Sequence, residues 1–223
     1  TDGLVVMDAP AAPGGGGGAR AAPAPAGRQA VSRGPEDRPS THSWRRAADM
    51  LAPEDRRIEE ARNAGFTSAV FYPGSGIFAG QGAVVNLAGD KRRMVVQSPA
   101  GQYVTLAFRG PGSTPGFPAS LLGVMAYIRQ IYLDAAHYRE RRAAWEQGVA
   151  GVARPDYDRA LEGLLESPRV LLPARSRVEV ERMAAFAKEL GVAAVLYGAE
   201  GAYAATPRLA EAGVPVLVSL KWP

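Results

Sequence analysis

The sequence predicts an α/β fold whose C-terminal part is built on parallel strands. Short apolar runs sit at 170–172, 193–197 and 216–220, and between them 177–190 and 200–212 carry helical patterning. Strands alternating with helices at this spacing are joined by right-handed crossovers between parallel neighbours. The chain has 223 residues and stops at Trp222-Pro223, directly after the last apolar run, with no closing helix. Parallel strands are ordinarily buried on both faces. The pattern is therefore expected of a piece of a larger α/β domain. Its final strand is expected to be covered by the rest of its own chain or by a partner subunit.

Taken in order, residues 4–7 are apolar and read as a short strand within 1–8. Residues 9–43 read as a disordered, flexible segment, because Ala-Pro repeats and the glycines at 14–18 offer little to bury. Ordering such a stretch costs conformational entropy without return. The glycine run is also the composition of a phosphate cradle, but no strand-to-helix switch flanks it. Order resumes at 44 and runs to 223 as one domain. Pro53 opens a helix to Asn63, with Glu54 and Asp55 in its first turn to complement the helix dipole, and Gly65 caps its end.

A strand is expected at 66–72, then a glycine-rich connection at 73–82, then strands at 83–87, 94–98 and 102–108. A loop at 110–118 holds three prolines and precedes a long helix over 119–147. Its apolar stripe is read as Leu121, Leu122, Met125, Ile128, Tyr132, Ala135 and Ala136, at spacings of three and four. The second half, 138–146, is strongly charged and is expected to project over the surface. Pro155 opens a helix to Glu166, with Leu161, Leu164 and Leu165 inward. Ser176 and Glu179 form a capping box for the next helix, and Gly191 and Gly213 end the last two.

Composition narrows the chemistry. Zero cysteines exclude disulfides, thiolate metal sites and cysteine nucleophiles. The net charge of +4 is carried by dispersed arginines without interleaved aromatics, so no nucleic-acid partner is expected. No apolar run approaches the roughly 18 residues of a membrane span. The two histidines, His42 and His137, lack metal-ligand spacing and read as surface residues. Gly74, Gly76, Gly80 and Gly82 follow a strand, but the spacing is one residue too long for a dinucleotide fingerprint. A strand rather than a helix comes next. The loop reads instead as a tight connection at a strand end, which makes Ser75, Phe78 and Gln81 cleft candidates.

Three stretches carry a resemblance. They are Pro53-Glu54-Asp55, the run Ala61-Arg62-Asn63-Ala64-Gly65-Phe66-Thr67-Ser68-Ala69, and Gly80-Gln81-Gly82-Ala83-Val84-Val85-Asn86-Leu87-Ala88-Gly89. Together they resemble the amidohydrolase superfamily, most closely its imidazolonepropionase-like branch. The segments 169–176, 195–203 and 212–219 are similar to successive barrel strands and helices of that superfamily. The resemblance covers about 50–110 and 165–223.

It implies a partial or distorted (β/α)8 TIM-type barrel that hydrolyses amide or cyclic amide bonds with one or two divalent metals. A bound metal would lower the pKa of a water and polarise the carbonyl. The family's ligands are a His-x-His pair on the first barrel strand, a Lys or Glu, two later histidines and a late Asp. Here the histidine positions fall at Pro173 and near Gly198, which offer no side-chain ligand. No catalytic residue or metal ligand of the family carries over. Arg175 and Tyr197, beside those positions, join the cleft candidates.

Two readings follow. In the first, the chain is an amidohydrolase-like barrel fragment without a metal site, serving a structural, binding or assembly role, and no cofactor is expected in it. In the second, it is a portion of a metal-dependent amidohydrolase whose divalent metal, such as zinc, is held by segments elsewhere. The two substituted positions favour the first.

Overall fold

The computed structural model describes residues 4–8, 35–106 and 116–219. Residues 9–34 of the flexible segment expected at 9–43, the first part of the loop at 110–118 and the end of the final strand lie outside them. The described residues up to 104 contribute β1 (Leu4–Asp8), α1 (Ala47–Met50), α2 (Arg56–Asn63), β2 (Ser68–Tyr72), β3 (Phe78–Gln81), β4 (Ala83–Asn86), α3 (Lys91–Met94), β5 (Val95–Gln97) and β6 (Gln102–Val104). There follow α4 (Leu121–Glu146), α5 (Arg159–Leu165), β7 (Val170–Ala174), α6 (Arg177–Leu190), β8 (Ala194–Gly198), α7 (Thr206–Ala212) and β9 (Val216–Val218). The result is a mixed α/β fold. Among the described residues no helix is long and apolar enough to cross a membrane.

The strands form two sheets, ordered β1-β2-β4-β5 and β3-β6-β7-β8-β9. In the second sheet β6, β7, β8 and β9 run parallel, with Leu171 beside Val195 and Tyr197 beside Leu217. This is the expected C-terminal pattern. The strand expected at 66–72 does not join this parallel sheet. β2 lies in the first sheet, parallel to β1 and antiparallel to β4. Among the described residues the strands do not close into one ring.

The corner responsible is Gly82, the one residue between β3 and β4, which belong to different sheets. A Cβ there would stand 2.2 Å from the Tyr72 ring, so only glycine lets the chain turn against that aromatic.

Other expectations shift. The glycine-rich connection at 73–82 contains β3, which pairs antiparallel with β6, Gln81 opposite Gln102. Local sequence gives Phe78–Gln81 little strand character, and its pairing is wholly non-local. Residues 91–94, whose last member the sequence places in a strand, form the short helix α3, capped by Asp90 accepting from the Arg93 N–H.

The helix at 53–63 starts later, at Arg56, because Asp55 is its N-cap and accepts from the Arg57 N–H. The helix expected from Pro155 likewise starts at Arg159, with Asp158 as the cap. The capping box at Ser176 and Glu179 is present with both hydrogen bonds, and Gly191 and Gly213 end their helices at φ 64° and 62°.

The main core lies between the second sheet and helices α4, α5 and α6. Val170, Leu172, Ala174, Ala194 and Leu196 face these helices, which answer with Val180, Met183, Phe186 and Ala187 of α6. On α4 the buried stripe is Val124, Tyr127, Ile128, Ile131, Ala135 and Tyr138. The stripe is rotated from the expected one: Leu122 is 83% exposed, and Leu121 is exposed too. Both lie in the first turn.

Tyr138 and Arg142, from the half expected to be merely charged surface, both donate to Glu162 and pin α4 to α5. Burial alone would raise the Glu162 carboxyl. The hydrogen bonds from Tyr138 and Arg142 outweigh it and hold the carboxyl below its usual range.

The segment before 44 is ordered sooner than expected. Thr41 and Ser43 are buried, and the chain at 41–46 makes parallel bridges to Phe78 and Gln81 of β3. Thr41 and Tyr127 share a hydroxyl–hydroxyl hydrogen bond, and Ser43 Oγ donates to the Ala160 carbonyl. Arg38 pairs with both Asp134 and Asp158. Polar anchors rather than apolar ones fix this stretch, which is why its composition carries no sign of order.

Candidate functional site

Strand alternation divides β7 and β8 into two faces. Leu171, Pro173, Val195 and Tyr197 point away from the helices, toward the first sheet, where Leu171 and Val195 pack with Val70 and Tyr72. Pro173 and Tyr197 are register partners on adjacent strands. Three tyrosines from three strands line up here. Tyr72 and Tyr103 stack at 5.1 Å between ring centroids, and Tyr103 and Tyr197 approach to 4.8 Å. Offset ring pairs at such separations are favourable beyond their area burial.

The Tyr197 hydroxyl donates to the Val104 carbonyl at 3.0 Å, tying β8 to β6 across β7. Tyr72 is only 4% exposed. Burial first, with Tyr103 adding and Arg169 opposing, pushes its hydroxyl up to about 12. A phenol so placed stays neutral and cannot serve as a base near neutral pH.

The C-terminal ends of β7 and β8 form the neighbouring surface. Arg175 and Glu200 are exposed there. The Arg175 backbone N–H donates to Glu179 at 2.7 Å, so the carboxylate that completes the α6 cap is already committed. Gly198 and Ala199 both have positive φ, 89° and 30°, and Ser219 N–H donates to the Gly198 carbonyl. Gly201 packs so tightly on the 175–177 backbone that a Cβ would meet Arg177 N at 2.6 Å.

The five candidates do not gather in one place. Ser75 is exposed on the 73–77 loop, where its carbonyl approaches His42 Nδ1 at 3.3 Å and its hydroxyl accepts from Arg45 at 3.5 Å. Phe78 is buried under α4 against Tyr127 and Tyr132. Gln81 is fully buried, and its Nε2 donates to the Gly163 carbonyl at 2.7 Å. Its Oε1 and that of Gln102, its cross-strand partner, have no hydrogen-bond partner among the described residues. Arg175 and Tyr197 lie at the ends of adjacent strands, and Tyr197 alone joins the tyrosine stack.

Tyr72 and Tyr103 are not singled out by the sequence. Each sits on an expected strand, but nothing local says that three separate strands place their rings together. His42 is half-buried rather than fully exposed; burial first, then Arg45, lowers its pKa. His137 is exposed.

The residues that the resemblance puts at ligand positions do not fit a divalent metal. Pro173 and Gly198 supply no side-chain ligand, and the hydroxyl of their neighbour Tyr197 donates to the Val104 carbonyl. Among the described residues no three of His, Cys, Asp and Glu come together as a metal-binding group.

No family model matches the chain, and no curated protein matches it. A solved structure, that of an amidohydrolase from Thermotoga maritima MSB8, is similar with a TM-score of 0.69 and 24% identity, over 81% of this chain and 49% of that one. The chain thus spans about half the length of that structure. At this identity the likeness bears on architecture alone, and the architecture is amidohydrolase-like.

Proposed function

We propose that the chain forms an incomplete (β/α) barrel of the amidohydrolase kind, of the imidazolonepropionase-like branch, in which the metal site has been given up. Its role is structural or assembly-forming rather than catalytic. The observation that supports this is the inner face of β7 and β8. Where the family needs histidines, this chain has Pro173 and Gly198, and beside Pro173 stands Tyr197, packed into a stack of three rings. Among the described residues this face is made of ring and aliphatic contacts.

A second reading keeps one observation in its favour. The chain spans 49% of the similar amidohydrolase, so metal ligands in the remainder of a longer protein would make it a metal-dependent hydrolase of amide or cyclic amide bonds. The test is hydrolysis by the intact protein of a panel of linear and cyclic amides with zinc added. The first reading expects no turnover above buffer. Turnover that a chelator abolishes and zinc restores would overturn it.

A further inference from the structure

On the helix-covered side of β7, at the opposite strand end from Arg175, lies a cavity of about 240 Å³. One stripe of α4 lines it: Tyr132, Ala135, Ala136 and Arg139, spaced three and four apart. Leu164 of α5 and Leu190 of α6 close it from the other sides. The space exists because the helix presents two alanines where leucines would fill it.

The chemistry of the lining is asymmetric. Leu164, Leu165, Leu190 and Val192 give aliphatic walls, and Ser167 with two arginines gives polar ones. The Tyr132 ring packs on Phe78 at 6.1 Å. No described residue hydrogen-bonds its hydroxyl, and burial raises that group above the ordinary tyrosine range. Arg139 is exposed at the rim and has no carboxylate partner among the described residues. Arg169 also borders the cavity, but its stem lies against Gly101 and its charge acts on Tyr72, on the other face of β7. A purely apolar cavity of about 150 Å³ suffices for benzene. The larger space here accommodates a ring or short acyl chain together with a polar head.

We propose that this cavity binds a small amphiphilic carboxylate, with its apolar body against Ala135, Ala136, Leu164 and Leu190 and its carboxylate at Arg139. Tyr132, two turns of α4 before Arg139, closes the other end of the cavity against the ligand's apolar body. Such a ligand would bridge α4, α5 and the turn between α6 and β8, and would stabilise the folded state by mass action. The site is separate from the tyrosine stack and does not depend on whether the protein is a hydrolase.

The experiment is thermal unfolding of the intact protein with sodium benzoate, sodium hexanoate or toluene, against sodium chloride at matched ionic strength. The expected result is a saturable rise in Tm with one or both carboxylates, and weaker binding of toluene. The better carboxylate distinguishes an aromatic from an acyl body. Ala136→Leu fills the cavity and should abolish the rise. Arg139→Ala should weaken the carboxylate at least about tenfold, the worth of a charge-assisted hydrogen bond, while leaving toluene unchanged.

If Ala136→Leu does not fold, carboxylate-induced NMR shifts in the natural protein, centred on 135–139 and 190–193, replace it as the test of location. No saturable rise, an equal rise in Ala136→Leu, or shifts spread evenly over the molecule would overturn the proposal.

Discussion

The two faces of β7 and β8 are built from different materials. The helix-covered face is aliphatic: Val170, Leu172, Ala174, Ala194 and Leu196 meet α4, α5 and α6. The sheet-covered face is aromatic: Tyr197 joins Tyr103 and Tyr72, with Leu171 and Val195 below them. An aliphatic face holds its partners by volume and loses heavily when volume is removed. An aromatic face with hydroxyls holds them by ring contact and by single hydrogen bonds, and a hydrogen bond can be deleted at small cost while the ring stays. The helix side therefore carries the stability of the second sheet, and the sheet side occupies the position where the resemblance would put metal ligands.

Adjacent residues of β8 separate these contributions. Leu196, fully buried, belongs to the helix side. Leu196→Ala is expected to cost about 2–5 kcal/mol in urea unfolding, through lost transfer energy and a residual cavity. A loss below about 1 kcal/mol would mean that the helix face is not closely packed.

Ser176 holds the start of α6 on that same side, its hydroxyl accepting from the Glu179 N–H while Glu179 reaches back. Ser176→Ala should cost about 0.5–2 kcal/mol, and Ser176→Asp, another good cap, should recover most of it. Tyr197→Phe removes one hydroxyl from the opposite face and keeps the ring. It should cost about 0.5–1.5 kcal/mol and leave the near-ultraviolet circular dichroism largely intact. A loss as large as that of Leu196→Ala would erase the contrast between the faces.

The smallest expected effect is one of pH. The Glu162 carboxyl titrates below its ordinary value of 4.5 in the folded chain, so the unfolded chain binds protons more readily in that range. Its contribution is fully present above 4.5 and is lost as the pH falls through the folded pKa. Glu162→Gln should flatten the acid limb of the stability curve and leave the stability at neutral pH without any new slope. An acid limb identical to that of the natural protein would show that the contacts from Tyr138 and Arg142 contribute nothing.

The legible parts of the fold are those with local causes. Ser176 with Glu179, and Gly191 with Gly213, announce their caps within a turn of chain, and the parallel C-terminal strands follow from them. β3 is illegible because Phe78–Gln81 is a strand only by virtue of β6 and the 41–46 segment on either side. The stripe of α4 comes out rotated, since Leu121 and Leu122 are apolar yet sit in the exposed first turn. At the site, Tyr197 stands out from its strand-end position. Tyr103 joins it through the pairing of β6 with β7 and β8, and Tyr72 through the packing of the first sheet on the second, and no local pattern encodes either.

The central claim is that the inner face beside Pro173 and Tyr197 is an aromatic surface and not a metal site. The most direct measurement is the metal content of the intact protein, purified without chelator and then dialysed against zinc, by plasma mass spectrometry. The account predicts no zinc, manganese or iron above the level of the dialysis buffer, and an unchanged Tm after chelation. One bound equivalent of a divalent metal, with a Tm that falls when it is removed, would contradict the account.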